Sequence, residues 1–198
     1  MFVVIATEKN NAKEIDIIIQ LFELGLETFH LRKPNFTKEM LISYLNKVPE
    51  KYHKHIVIDS HIELLEDFHL KGFHLKESNR LKLGNDLKNI RKKLFDKQQT
   101  LSSSFHSLEA IENNNIEFDY VFLSPVFHSI SKENYAGKGF DVNHLKQKTL
   151  ALGGIKQENI AKTKELGFQG IAVLGAIWES EDPILEFQRL KEVYDGCF

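Results

Sequence analysis

Short β-branched or aromatic runs alternate along the chain with stretches of helical spacing, the pattern of repeated βα units rather than of hairpins. Eight runs predict strands: Phe2–Thr7, Glu27–Leu31, His55–Asp59, Gly72–Leu75, Thr100–Ser103, Tyr120–Leu123, Thr149–Leu152 and Gly170–Leu174. Between them, Ile15, Ile18, Ile19 and Phe22 make one apolar helical stripe, Leu41, Tyr44, Leu45 and Val48 a second, and Phe187, Leu190 and Tyr194 a third. Asp182-Pro183 reads as the N-cap and first residue of the last helix, and Gly25 and Gly167 stand where helices should stop. Eight βα units predict an α/β fold, a compact (β/α)8 TIM barrel formed as a single domain by residues 1–198. An open doubly wound sheet is the alternative. It lacks its glycine fingerprint here, because only Ala6-Thr7-Glu8-Lys9 follows the first strand.

Composition narrows the function classes. The 26 Lys+Arg against 28 Asp+Glu leave a net charge of −2, so no whole-chain field draws the protein to nucleic acid or to an anionic membrane. The single cysteine, Cys197, excludes an intrachain disulfide framework and suits a reducing, cytoplasmic setting. The apolar run Phe2–Ala6 is far too short for a membrane span.

In a barrel the chemistry collects where the strands end, and the residues following each run are unusually polar. His30-Leu31-Arg32-Lys33-Pro34 ends the second, Asp59-Ser60-His61 the third, and His74-Leu75-Lys76-Glu77-Ser78-Asn79 the fourth. Ser102 to His106 ends the fifth, and Ser124 to Lys132 follows the sixth. Strand alternation puts His30 and Arg32 on one face, so a lumen-facing His30 aims Arg32 into the mouth. An exposed loop arginine and a satisfied core histidine are the plainer readings of the two. Asp59 is either paired or metal-bound, or the N-cap of a helix beginning near His61. Strands seven and eight end in Gly153-Gly154-Ile155 and Gly175-Ala176, each before a helix, where backbone N–H groups unobstructed by Cβ atoms bind anions. A phosphate-bearing ligand follows from that spacing. His74, His106 and His128 lack the short spacing of a zinc site.

At these strand ends the sequence resembles the thiamine-phosphate synthase family, which includes the related thiazole tautomerase barrels. His30-Leu31-Arg32-Lys33 is similar to the family's Q-L-R-x-K segment and Ser104-Phe105-His106 to its G-x-S-x-H. Pro125-Val126-Phe127 with Ser129-Ile130-Ser131-Lys132 resembles its P-x-F-x-T-x-T-K loop, Ala151 to Ile155 its A-x-G-G-I, and Val173 to Ile177 its V-x-S-A-I. The resemblance implies a transferase that joins a hydroxymethylpyrimidine diphosphate to a thiazole phosphate with release of pyrophosphate and with Mg²⁺ bound. It implies Arg32, Ser104 and Lys132 as catalytic residues and Asp59 as the metal ligand. Substrate binding falls to His30, Lys33, Ser129, Ser131, Gly153, Gly154, Leu174 and Gly175.

The chain also departs from the family pattern. Ile58 stands for the asparagine before the metal aspartate, Asn79 for a second metal aspartate, and Pro34 for the lysine two residues after Arg32. With one carboxylate lost, Mg²⁺ is expected to bind weakly without substrate, unless Glu77 substitutes. Two alternatives therefore stand beside the synthase: a metal-independent, tautomerase-like isomerase with His106 or His128 as base, and a phosphate-binding barrel without catalysis. The expected partners are small phosphorylated heterocycles, and a homodimer is left open.

Overall fold

The structure, a computed structural model, describes residues 1–9, 11–128 and 137–198. Eight parallel strands close into a barrel in chain order: β1 (Phe2–Ile5), β2 (Phe29–Leu31), β3 (Ile56–Ile58), β4 (Gly72–Leu75), β5 (Thr100–Phe105), β6 (Tyr120–Leu123), β7 (Thr149–Leu152) and β8 (Ile171–Val173). The seam is β1 against β8, with Val3 opposite Ala172 and Val4 opposite Val173. All eight predicted runs are strands, several a residue or two shorter than their apolar run. The ends fall back because edge residues such as Glu27 and Thr7 turn into loops once ladder pairing stops.

Helices α1 (Glu14–Glu23), α2 (Lys38–Leu45), α3 (Leu64–Asp67), α4 (Glu77–Leu83), α5 (Asp86–Asp96), α6 (Leu108–Glu112), α7 (Ile160–Glu165), α8 (Gly175–Trp178) and α9 (Pro183–Cys197) stand between and after the strands. Among the described residues no helix separates β6 from β7. The punctuation read from sequence holds. The Asp182 carboxylate accepts from the N–H groups of Ile184 and Leu185 at the start of α9, and Gly25 and Gly167 adopt φ of 91° and 87° just beyond α1 and α7.

The period of two in each strand divides the core. Residues facing outward, such as Phe29, Leu31, Ile56, Ile58 and Leu101, join the buried layer beneath the helices. Inside the barrel, Val3, Ile5, Tyr120, Phe122, Leu150 and Ala172 make a second, smaller cluster. The lumen is thus filled by side chains, and the open space lies above it. No helix among the described residues is long and apolar enough to cross a membrane.

Candidate active site

Inside the barrel the same alternation that buries aliphatic residues from β1, β7 and β8 brings polar ones from β2, β4, β5 and β6 into contact. His30 Nε2 lies 2.6 Å from the Tyr120 hydroxyl, and the His74 ring is held between the hydroxyls of Ser102 and Ser104, 2.8 Å from each. Phe122 packs against both imidazoles with ring centroids 4.9 Å apart. His30 is therefore the satisfied lumen histidine of the two readings, 3% exposed and forming a floor rather than a free base. Burial holds the His30 pKa well below the ordinary histidine value. His74 is pushed down to about 3, first by burial and then by the nearby Arg32 and Lys76 cations.

A measurable consequence follows for stability. The folded His74 binds a proton only near pH 3, whereas an unfolded histidine binds one near pH 6.5. Stability is unaffected above that pH and falls as the pH drops below it, by about 2 kcal/mol at pH 5 from this residue. His30 adds in the same direction. Urea unfolding at pH 7.5 and 5 should show the loss, and His74→Gln should shrink it. An identical loss in that variant would refute the assignment.

Two residues beyond each of these lumen positions stands a side chain at the rim. Arg32 follows His30, Asp59 follows Val57, Lys76 follows His74 and Ser104 follows Ser102, all lining one cavity of about 550 Å³, a size suited to a small ligand. Arg32, Asp59 and Ser104, expected together from the sequence, do share this mouth. Arg32 is held by Glu8 from the end of β1, and its Nε lies 4.0 Å from Asp59. Asp59 caps no helix, since α3 begins only at Leu64. The signal for Lys76 was available in the His74/Lys76 alternation, which repeats that of His30/Arg32. Glu8 gave no such signal, because β1 ends short of it.

Lys33 departs from its expected place. Its ammonium is turned away from the mouth and buried, donating to the Thr7 carbonyl at 2.6 Å and to Glu14. The physical reason is alternation again: with Arg32 facing the mouth, its neighbour faces the helices, where the buried Glu14 carboxylate needs a cation. Lys33 ties the loop after β2 to β1 and α1, and the substrate-binding expectation for it is corrected accordingly. Ser129, Ser131 and Lys132 lie outside the described residues.

The opposite side of the mouth is built from backbone. Gly153 and Gly154 adopt φ of 97° and 68°, and among the described residues nothing accepts from the N–H groups of Gly154 or Ile155. Gly175 opens α8 beside Leu174, and the Trp178 indole donates to the Ile5 carbonyl at 2.6 Å, fixing this short helix over the end of β1. Packing as well as φ requires glycine here. A Cβ on Gly154 would meet the His128 carbonyl oxygen at 2.2 Å, so the loop after β6 lies directly on this backbone. That loop is pinned by Val126 and Phe127 N–H groups donating to Leu152 and Gly153. His106 completes the rim with Nδ1 3.0 Å from the Ser124 carbonyl.

The Mg²⁺ implied by the resemblance does not fit this donor set. Asp59 Oδ2 is buried and lacks a hydrogen-bond partner, as a metal ligand would, but Lys76 Nζ stands 3.0 Å from it. Glu8 is paired with Arg32, and Glu77 with Arg80 at 3.2 Å, while Asn79 does not line the cavity. Arg80 is itself fixed by Ser103 and the face of Phe105, and it holds Glu77 in an ion pair. Among the described residues no cluster of three His, Cys, Asp or Glu could hold a metal. A hard divalent cation would meet one carboxylate that an ammonium already neutralises.

Comparison with known proteins gives the family. A family model described as "Thiamine monophosphate synthase" matches residues 1–177. A solved thiamine phosphate pyrophosphorylase from Bacteroides thetaiotaomicron is 34% identical, with a TM-score of 0.75 over 98% of this chain and 97% of that one. A thiamine-phosphate synthase of Prochlorococcus marinus is 36% identical over 105 residues, 50% of this chain, which spans only 30% of that protein's length. Another from Chlamydia caviae is 22% identical over 97% of this chain and 94% of its own length. With a closed barrel, a polar rim on β2 to β5 and glycine turns after β7 and β8, the chain belongs to the thiamine monophosphate synthase family.

Proposed function

We propose that this protein is a thiamine-phosphate synthase-type transferase acting on two small phosphorylated heterocycles in the cytoplasm. The observation that carries the reading is the division of one mouth into two unlike poles. Cations from β2 and β4 gather on one side, and glycine N–H groups after β7 and β8 on the other. Two phosphorylated substrates that must meet head to head need such a cavity. The diphosphate of the pyrimidine lies at the cationic pole, and the thiazole phosphate lies at Gly153, Gly154 and Gly175, with Leu174 beside it.

The reaction breaks the bond between the pyrimidine methylene carbon and the diphosphate oxygen, whose electron pair leaves with pyrophosphate. The thiazole nitrogen supplies the pair for the new carbon–nitrogen bond. Charge grows on the leaving diphosphate as its bond lengthens, so fixed cations at that pole bind the transition state more tightly than the substrate. Arg32 is preorganised for this by Glu8. Ser104, oriented by the neutral His74, offers a hydroxyl near the reacting end. Neither step needs a general base, and the lumen histidines, held neutral and hydrogen-bonded, serve as support. Incubation of the purified protein with both heterocycles should yield thiamine phosphate and pyrophosphate in equal amounts. Absence of product, with Mg²⁺ present or chelated, would refute the reading.

A further inference from the structure

The one carboxylate that the resemblance assigns to a metal ion already faces a cation from the neighbouring strand. Asp59 is 5% exposed at its side chain, and the Lys76 ammonium stands 3.0 Å from its buried Oδ2, with Arg32 Nε at 4.0 Å. With Ile58 opposite Phe73, Asp59 is level with His74, and Lys76, two residues further along on the same face, brings its long side chain back to the carboxylate. Its other surroundings leave the ammonium facing the cavity. Glu77 is taken by Arg80, Glu8 by Arg32, and Lys76 makes no side-chain cap on α4. The Lys76 side chain remains 35% exposed at the rim, open to a ligand entering the mouth.

We infer that Lys76 is a diphosphate-binding cation that stands in for the divalent ion, with Asp59 as its positioning partner. The inference rests on the synthase reading for the identity of the ligand. An ammonium held between a buried carboxylate and the cavity contacts phosphate oxygens as a point charge with three donors. Asn79 leaves the site without the second acid that the resemblance implies, and Lys76 supplies a positive charge beside the acid that is kept. A site with a single carboxylate is poor for Mg²⁺, and it is the right complement for one lysine. Arg32 and Lys76 present two cationic donor groups, each oriented by a paired carboxylate, at the pole where the leaving group gathers negative charge.

Inorganic pyrophosphate is the probe, titrated calorimetrically into the intact protein in excess EDTA and again in Mg²⁺. Wild-type protein is expected to bind it in EDTA within about threefold of its affinity in Mg²⁺. Lys76→Met should weaken binding in EDTA tenfold or more, and Lys76→Arg should retain most of it. Lys54→Met, exposed ahead of β3 at the far end of the barrel, should leave affinity unchanged and so excludes a general charge effect. Binding that needs Mg²⁺, or full affinity in Lys76→Met, would overturn the inference. Product formation is measured separately. Turnover only with Mg²⁺ overturns the role of Lys76 and leaves the synthase reading intact. Lys76-dependent pyrophosphate binding without any turnover supports the site and refutes that reading.

Discussion

Arg32→Ala is expected to lower kcat/KM for the joining reaction by about a hundredfold or more while shifting Tm by no more than about 3 °C. The kinetic loss follows from removing a fixed donor aimed at a developing anion, an effect of roughly 10²–10³ in rate. The small thermal effect follows from exposure. The Arg32 side chain is 33% exposed and its partner Glu8 53% exposed, so their pairing is a surface contact of about 1 kcal/mol at most. Arg32→Lys should fall between, because a point charge replaces a planar fork. Steady-state rates with both heterocycles, together with a calorimetric melt, test the pair of statements. A loss below tenfold would remove Arg32 from the chemistry, and a large fall in Tm would recast it as structural.

Gly154→Ala should weaken binding of the thiazole phosphate tenfold or more and lower Tm by roughly 4–8 °C. The residue sits at φ 68°, where a side chain costs about 1–2 kcal/mol. Its Cβ would also press on the His128 carbonyl, which is backbone and cannot swing aside as a flexible side chain would. At 2–4 °C per kcal/mol for a chain of this size, the strain alone accounts for a shift of this order. Relief requires the loop after β6 to lift, which alters the pole proposed for the phosphate. Titration of the thiazole phosphate and a melt of the same variant check both effects. A lowered Tm with unchanged affinity would take the glycine turn out of the ligand site.

The barrel was legible because its signal is repeated eight times and each strand is bounded by residues that cannot continue it. Gly25, Gly167 and Asp182-Pro183 act within a few residues of themselves, so their reading survives folding unchanged. The rim was legible where alternation reaches it, which is why Arg32, Asp59 and Ser104 stand together. Lys33 was misplaced for the opposite reason. Its partner Glu14 is 19 residues earlier on α1, and a buried carboxylate's need for a cation is visible only once the two are packed. Lys76 was read as one polar residue among many, since its pairing with Asp59 is set by the β3–β4 register and not by local sequence. The loop from Ser129 to Lys132, on which part of the resemblance rests, lies outside the described residues.

The division of the mouth is also a division of the chain. Glu8, Arg32, Asp59 and Lys76 all come from β1 to β4, whereas Gly153, Gly154, Leu174 and Gly175 come from β7 and β8. On the proposed reading each half of the barrel carries one pole, and the halves meet along the β4–β5 and β8–β1 ladders and through the lumen, where His30 touches Tyr120 and Phe122 packs against both imidazoles. On that reading, exchange of the second half for that of another phosphate-binding barrel would change the glycine pole while Arg32, Asp59 and Lys76 stay in place. Selection and design can in this way alter one pole at a time, provided that the contacts crossing the division, His30 with Tyr120 and His74 with Ser104, are kept.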